Sequence, residues 1–277
     1  MKKNHRRLLI TGLLSLLVSA TVAPADDKAD AYRYAVEARE AAKNKQWDKA
    51  IDLFKKAVQA DPKEANNHNN LGLAYKSAGK LDEAVKAFTA ALEVEPNDSN
   101  ALINRGIVYT MQQKYDKAIA DLDQALKEKP DSVAAHRYRA FAYLQKKEYQ
   151  KAIDDYTVAL KEKEDDELLD RRGFAYWNLG EYDKAIADFS KIIKNHPNDK
   201  EAYLDRSYVY ELKKDYKNGI ADCDKVLSLD PNNEDARNRK IRLEFQEKQA
   251  NATPTPTPTA RPRRTLPPDE TPKPKPH

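Results

Sequence analysis

An all-α solenoid of six helix-turn-helix units closed by a C-terminal capping helix is the fold the sequence predicts, and three observations predict it. Pro62, Pro96 and Pro130 stand 34 residues apart, and Pro197 and Pro231 repeat that interval. Other residue types fall into columns through the same register. The composition is helical and well solvated, with only seven glycines in 277 residues against 34% charged side chains. A period of this length is one supersecondary unit that cannot bury its apolar face alone, so the copies must stack.

The first element is an export signal. Residues 1–25 open with Lys2, Lys3, Arg6 and Arg7, continue through an apolar run from Leu8 to Ala23, and end in small residues. Basic start, short apolar stretch and small-residue end are the parts of a secretory signal peptide. Cleavage is expected after Ala25, where Ala23-Pro24-Ala25 precedes Asp26, or after Ala20. An uncleaved anchor needs about 20 apolar residues, and this run is shorter and holds Gly12, Ser15 and Ser19. The chain is therefore expected to be exported, periplasmic or secreted, with Cys223 as its lone thiol and no intrachain disulfide.

Six units follow, at 31–64, 65–98, 99–132, 133–165, 166–199 and 200–233. The fourth is one residue short, and Glu164 stands where its proline would be. Tyr75, Tyr109, Tyr143, Tyr176 and Tyr210 form one column; Ala50, Ala84, Ala118, Ala152 and Ala185 form another. A third holds Phe54, Phe88, Leu122, Tyr156, Phe189 and Cys223, and a fourth Trp47, Leu81, Tyr115, Tyr149, Tyr182 and Tyr216. Gly72, Gly106 and Gly173 each precede a column tyrosine by three residues, on the same helix face, where a small side chain lets helices approach. Gly79 and Gly180 mark the end of the first helix. Asp48, Asp82, Asp116 and Asp183 suit the cap or first turn of the second helix. The last unit departs with Gly219 and Cys223. Residues 234–249, with Ile241, Leu243 and Phe245 amid charges, read as the capping helix.

The series Leu71-Gly72-x-x-Tyr75, Ala84, Phe88 and Pro96 resembles the tetratricopeptide repeat, and the resemblance runs through residues 31–233. It implies a right-handed superhelix whose first helices line a concave groove that holds a protein or peptide partner. Some members of that family clamp a C-terminal carboxylate with Lys, Asn, Asn, Lys and Arg spread over three units. The matching positions here are Ala35, Arg39, Asn70, Asn100 and Asn104, of which only Asn70 fits, so that clamp is disfavoured.

Within the repeats a second pattern appears. Arg105, Arg139, Arg172 and Arg206 share one column, and Asp121, Asp155, Asp188 and Asp222 share another, sixteen residues on. Units one and two lack both partners, holding Glu37 with Leu53 and Leu71 with Ala87. Joint presence or absence points to four partly buried ion pairs with a structural role, across the two helices of a unit or between neighbouring units.

The partner surface is expected on the other face of the first helices. It comprises Asn66, Asn69, Asn70 and Leu73, then Asn104 and Ile107, then Arg137, Tyr138 and Phe141, then Arg171, Phe174 and Trp177, and finally Tyr208. Amides can hydrogen-bond an extended backbone and aromatics can hold its side chains. The column Leu73, Ile107, Phe141, Phe174 and Tyr208 could equally pack neighbouring first helices together.

No phosphate-cradling loop, metal-spaced His or Cys cluster, or nucleophile motif is present, and His68 and His136 lie two units apart. A non-enzymatic protein without cofactor or metal is expected. The formal charge of +4 divides into +4 over residues 1–25, −3 over 26–249 and +3 over 250–277, so the folded middle is mildly acidic. Nucleic acid is thereby disfavoured as a partner. From Thr253 the chain alternates Thr and Pro and then turns basic at Arg261, Arg263, Arg264, Lys273 and Lys275. Such a segment builds no core and is expected to be a disordered tail over residues 250–277, either a plain flexible extension or one in weak contact with an anionic envelope polymer or membrane surface. Two functional readings result: a scaffold that binds a partner in its groove, and a structural subunit of an envelope or secreted assembly whose groove or cap is permanently buried.

Overall fold

The computed structural model describes residues 27–162 and 164–252. The export signal expected over residues 1–25 and the Pro-rich segment from Thr253 lie outside the described residues, so neither is given a structure. Thirteen helices and no strand are present among the described residues. They fall into two compact units, one ending at Lys163 and the other beginning at Glu164.

The first unit holds four helical hairpins: α1 (Asp27–Lys43) with α2 (Trp47–Ala60), α3 (Ala65–Ser77) with α4 (Leu81–Val94), α5 (Ser99–Met111) with α6 (Tyr115–Glu128), and α7 (Val133–Gln145) with α8 (Tyr149–Glu162). The second holds α9 (Asp166–Asn178) with α10 (Tyr182–Asn195), α11 (Lys200–Lys213) with α12 (Tyr216–Leu229), and the closing helix α13 (Glu234–Asn251). Odd-numbered helices are the first helices of the repeat and even-numbered ones the second.

Size complementarity sets the spacing inside each hairpin. A Cβ on Gly72 would lie 2.6 Å from the Phe88 ring, one on Gly106 2.9 Å from Leu122, and one on Gly173 3.0 Å from Phe189. The large partner is fully buried each time, so the small residue is what lets the two helices touch. Ala140 opposite Tyr156, and Ser207 opposite Cys223, occupy the same columns. The Ser207 hydroxyl lies 3.2 Å from the Cys223 sulfur, and burial pushes the Cys223 thiol up from its ordinary value. Gly219 stands in the alanine column because Leu243 of α13 packs there, 3.1 Å from where a Cβ would be.

The turn between the two helices needs one left-handed residue. Gly79 and Gly180 supply it with φ of 75° and 78°, and Lys45, Gln113, Lys147 and Lys214 adopt the same conformation at the equivalent position. The first helices are capped by side chains: Asp98 accepts from the Asn100 amide at 2.9 Å, and Glu64, Ser132, Asp165, Asp199 and Asn233 do the same for α3, α7, α9, α11 and α13. Asp48, Asp82, Asp116 and Asp183 sit in the first turn of the second helices, and the cap positions belong to Gln46, Lys80, Lys114 and Glu181. From there each acid reaches the next hairpin's turn. Asp48 meets Lys80 at 2.9 Å, Asp82 meets Gln112 at 2.8 Å, Asp116 meets Lys146 at 2.6 Å and Asp183 meets Lys213 at 2.5 Å.

On α13, only one of its three large apolar residues is covered. Leu243 is fully buried, whereas Ile241 is 59% and Phe245 61% exposed. Ile241 falls in the small-residue column of Gly72, Gly106 and Gly173. A large side chain there denies α13 the close partner that every earlier first helix has.

Candidate functional site

Each of the four Arg–Asp pairs joins the two helices of one hairpin through two parallel hydrogen bonds. Arg105 donates from Nε and Nη2 to Asp121 at 2.7 and 2.8 Å, Arg139 to Asp155 at 2.7 and 2.7 Å, Arg172 to Asp188 at 2.8 and 2.7 Å, and Arg206 to Asp222 at 2.9 and 2.7 Å. The aspartates are buried and the arginines partly so, the setting in which a planar fork matches a carboxylate best. Hydrogen bonds to Asp121 and Asp155 hold the Arg105 and Arg139 guanidiniums above their ordinary value against the opposing effect of burial.

A third arm was not visible in the column pattern. Nη1 of Arg105 reaches Thr89 at 3.0 Å, that of Arg139 reaches Asp123 at 2.6 Å, and that of Arg206 reaches Ser190 at 2.8 Å. In each case the acceptor is on the preceding hairpin. At Arg139 the network widens further, because Nδ1 of buried His136 also meets Asp155 at 2.8 Å while its Nε2 meets the Pro130 carbonyl. His68 meets the Pro62 carbonyl in the same way.

The predicted partner residues separate into two groups. In the first unit, Asn66 and Asn70 line a cleft of about 430 Å³ together with Lys28, Tyr32, Arg39, Asp61, Glu64 and Asn67. Asn70 and Arg39 also line a second cleft of about 190 Å³ with Trp47, Phe54, Leu73 and Ser77. Among the described residues Arg39 has no ion pair or hydrogen bond. Asn69 is buried and its amide oxygen accepts from Asn104 at 3.1 Å, so these two amides tie α3 to α5. Leu73 packs beside Phe88 and Val108, and Ile107 and Tyr138 pack on the Leu102 and Leu122 cluster. Arg137 and Phe141 are half-buried on α7.

In the second unit the aromatics gather on one surface. Trp177 meets Phe174 at 5.0 Å, nearly edge to face, and Tyr208 at 4.6 Å between ring centroids. Phe174 is 39% exposed, and Arg171 pairs with Glu167 one turn earlier. Asp170, Phe174 and Trp177 form one stripe on α9, and Glu201, Asp205 and Tyr208 form its counterpart on α11. Burial, then Asp170 and Glu201, push the Asp205 carboxyl up to about 6, with Arg239 opposing. The Arg239 guanidinium lies 5.1 Å over the Tyr208 ring and also donates to the Leu204 carbonyl. These acids and Arg239 were not among the residues read from sequence. For Asp170 and Asp205 the signal was the i, i+4 and i, i+3 spacing from Phe174 and Tyr208, whereas Arg239 on α13 has no such local signal.

Among the described residues no group of three or more His, Cys, Asp or Glu side chains is gathered to hold a metal ion, and no helix is long and apolar enough to cross a membrane.

Family models for the tetratricopeptide repeat match residues 69–132, 111–167 and 171–234, and a further one matches residues 39–79. No curated protein matches the chain by sequence. Solved structures share its fold. YrrB, a tetratricopeptide repeat protein with an unusual peptide-binding site, superposes with a TM-score of 0.63 at 21% identity over 68% of this chain and 97% of its own. A tetratricopeptide repeat protein from Parabacteroides merdae gives 0.61 at 22% identity over 80% and 88%, and pilF from Pseudomonas aeruginosa gives 0.62 at 16% over 80% and 99%.

Proposed function

Since the chain belongs to the tetratricopeptide repeat family, a fold that serves as a protein-interaction scaffold, we propose that it is a non-enzymatic binding module taking up a protein or peptide segment on the faces of its first helices. The observation that carries this reading is the surface group of Phe174, Trp177 and Tyr208. Phe174, Trp177 and Tyr208 meet edge to face and tilted outside the hairpin seam, with Phe174 exposed and the other two half-buried, and large aromatics so placed are the residues in which binding anchors concentrate. The clefts around Asn70 and Arg39 add amide and guanidinium donors suited to a peptide backbone. A peptide-binding site in YrrB, which shares the fold, supports a peptide as the ligand class. Export belongs to the same proposal and rests on residues 1–25.

Crosslinking in the producing cells tests it, with wild type compared against Asn70→Ala, Trp177→Ala and the double variant. Loss of captured proteins in the variants supports the surface assignment, and an unchanged set refutes it.

A second reading, a permanently assembled subunit, is favoured by exposed Ile241 and Phe245 on α13. Size-exclusion chromatography separates the two, because a free monomer is incompatible with an obligate subunit.

A further inference from the structure

We propose that the face built by Phe174, Trp177 and Tyr208 is the docking site for this chain's own basic, proline-rich C-terminal segment, residues 253–277. The inference rests on the reading of that face as a binding surface and names its resident occupant.

Three observations support it. The first is matching chemistry. Aromatic rings set edge to face and tilted, here exposed Phe174 with half-buried Trp177 and Tyr208, are the surface on which proline-rich segments pack, and nine prolines lie between Pro254 and Pro276. The second is charge. Asp170 and Asp205 stand one helical turn before Phe174 and Tyr208 and Glu201 a turn before Asp205, with Arg239 and Arg171 as the cations beside them, while the segment carries Arg261, Arg263, Arg264, Lys273 and Lys275 against Asp269 and Glu270. Asp170 and Asp205 have no ion pair among the described residues, and burial and like-charged neighbours act on both.

The third is reach and order along the chain. Short turns join α11 to α12 and α12 to α13, so α13 runs in the direction of α11. Arg239 lies over Tyr208, and the twelve residues from there to Asn251 carry the chain about 18 Å along the helix. The segment therefore starts beyond the aromatic end of the face, with Asp170 and Asp205 one turn further along and Glu201 two. Seven residues from Asn251 to Pro258 span at most about 25 Å, and ten to Arg261 at most about 36 Å. Returning along the face, the Thr-Pro run meets the rings first and the arginines meet the carboxylates next. The order of chemistry on the segment is the order on the surface.

The test reads Trp177 in the full chain. The protein has two tryptophans, so a Trp47→Phe background leaves Trp177 as the reporter of acrylamide quenching. Replacing Arg261, Arg263, Arg264, Lys273 and Lys275 by Ser is expected to raise the quenching constant at least about two-fold with an unchanged far-UV spectrum. About 0.5 M salt does the same to the parent and nothing to the variant, since screening weakens only the charge-dependent contact. Equal quenching in parent and variant overturns the proposal. So does protection of Trp177 that grows with protein concentration, which places the segment on a second copy. The two readings fail separately. If quenching is unchanged while crosslinking still depends on Trp177, the occupant is wrong and the binding surface stands. If crosslinking is indifferent to Trp177, the surface itself is wrong.

Discussion

The second and third hairpins fill one slot in two ways. Between α3 and α4 it holds Leu71 and Ala87, both buried; between α5 and α6 it holds Arg105 and Asp121, bridged twice. The adjoining seam hardly differs, with Gly72 against Phe88 in one and Gly106 against Leu122 in the other. Hairpin spacing is therefore set by the small-to-large contact, and the ion pair is one of two fillings compatible with it. What the arginine adds is its third arm to Thr89 on the preceding hairpin, which no leucine can make. Both slots meet the preceding hairpin: the apolar one by packing Leu71 and Ala87 into the cluster around Leu53 and Ala57 of α2, the charged one by a directed hydrogen bond.

Breaking one partner of the charged slot gives the largest expected effect. Arg105→Leu leaves Asp121 buried without its cation and is expected to lower stability by about 3 to 5 kcal/mol. Arg105→Leu with Asp121→Ala, which copies the α3–α4 slot, recovers most of that in chemical denaturation. A double variant no more stable than the single would show that the fillings are not equivalent. The same exchange at Arg139 and Asp155 should recover less, because His136 and Asp123 each lose a partner there.

The seam comes next. Gly72→Ala drives a methyl into the Phe88 ring and is expected to cost about 1 to 3 kcal/mol, read as a lower denaturation midpoint. The turn follows. Gly79→Ala meets nothing within 4 Å, so its expected loss of about 1 kcal/mol comes from the left-handed backbone alone. Gln113→Gly, at a φ of 59°, should gain a similar or smaller amount.

The smallest effect concerns pH. Between the ordinary carboxyl value of 3.8 and about 6, the folded chain retains a proton at Asp205 that the unfolded chain has released. Stability contributed by this group therefore falls as the pH rises through that window. With Arg261, Arg263, Arg264, Lys273 and Lys275 replaced by Ser, so that no segment cation meets the carboxyl, Asp205→Asn should remove the slope, raising the melting midpoint by about 3 °C at pH 7, after discounting for partial exposure, and leaving it unchanged near pH 3.5. A midpoint shift that is the same at both pH values would contradict this.

Much of the fold was legible in the sequence because its determinants are local and repeated. Column position marked Gly72 as a point of close helix approach and put Gly79 in the turn without any long-range information, whereas Phe88 as the side chain over Gly72 came from the structure. The bidentate pairing of Arg105 with Asp121 was foreshadowed by co-occurrence, but the third arm was not, since Thr89, Asp123 and Ser190 share only the ability to accept a hydrogen bond. The face was less legible. Asn69 and Asn66 look alike in sequence, yet one is buried against Asn104 and the other exposed in a cleft, a difference decided by the rotation of α3 against α5. Asp205 was missed because its environment comes from α9, α11 and α13 together, and Arg239 because α13 was read only as a cap.

The separation of seam from face is most directly tested by measuring thermal midpoint and crosslinked partners on Trp177→Ala and Gly106→Ala side by side. The account predicts that Trp177→Ala loses its partners with a midpoint drop smaller than that of Gly106→Ala, and that Gly106→Ala keeps its partners below its midpoint. A Trp177→Ala protein that melts as early as Gly106→Ala and retains every partner would show that the aromatic group holds the repeats together and binds nothing.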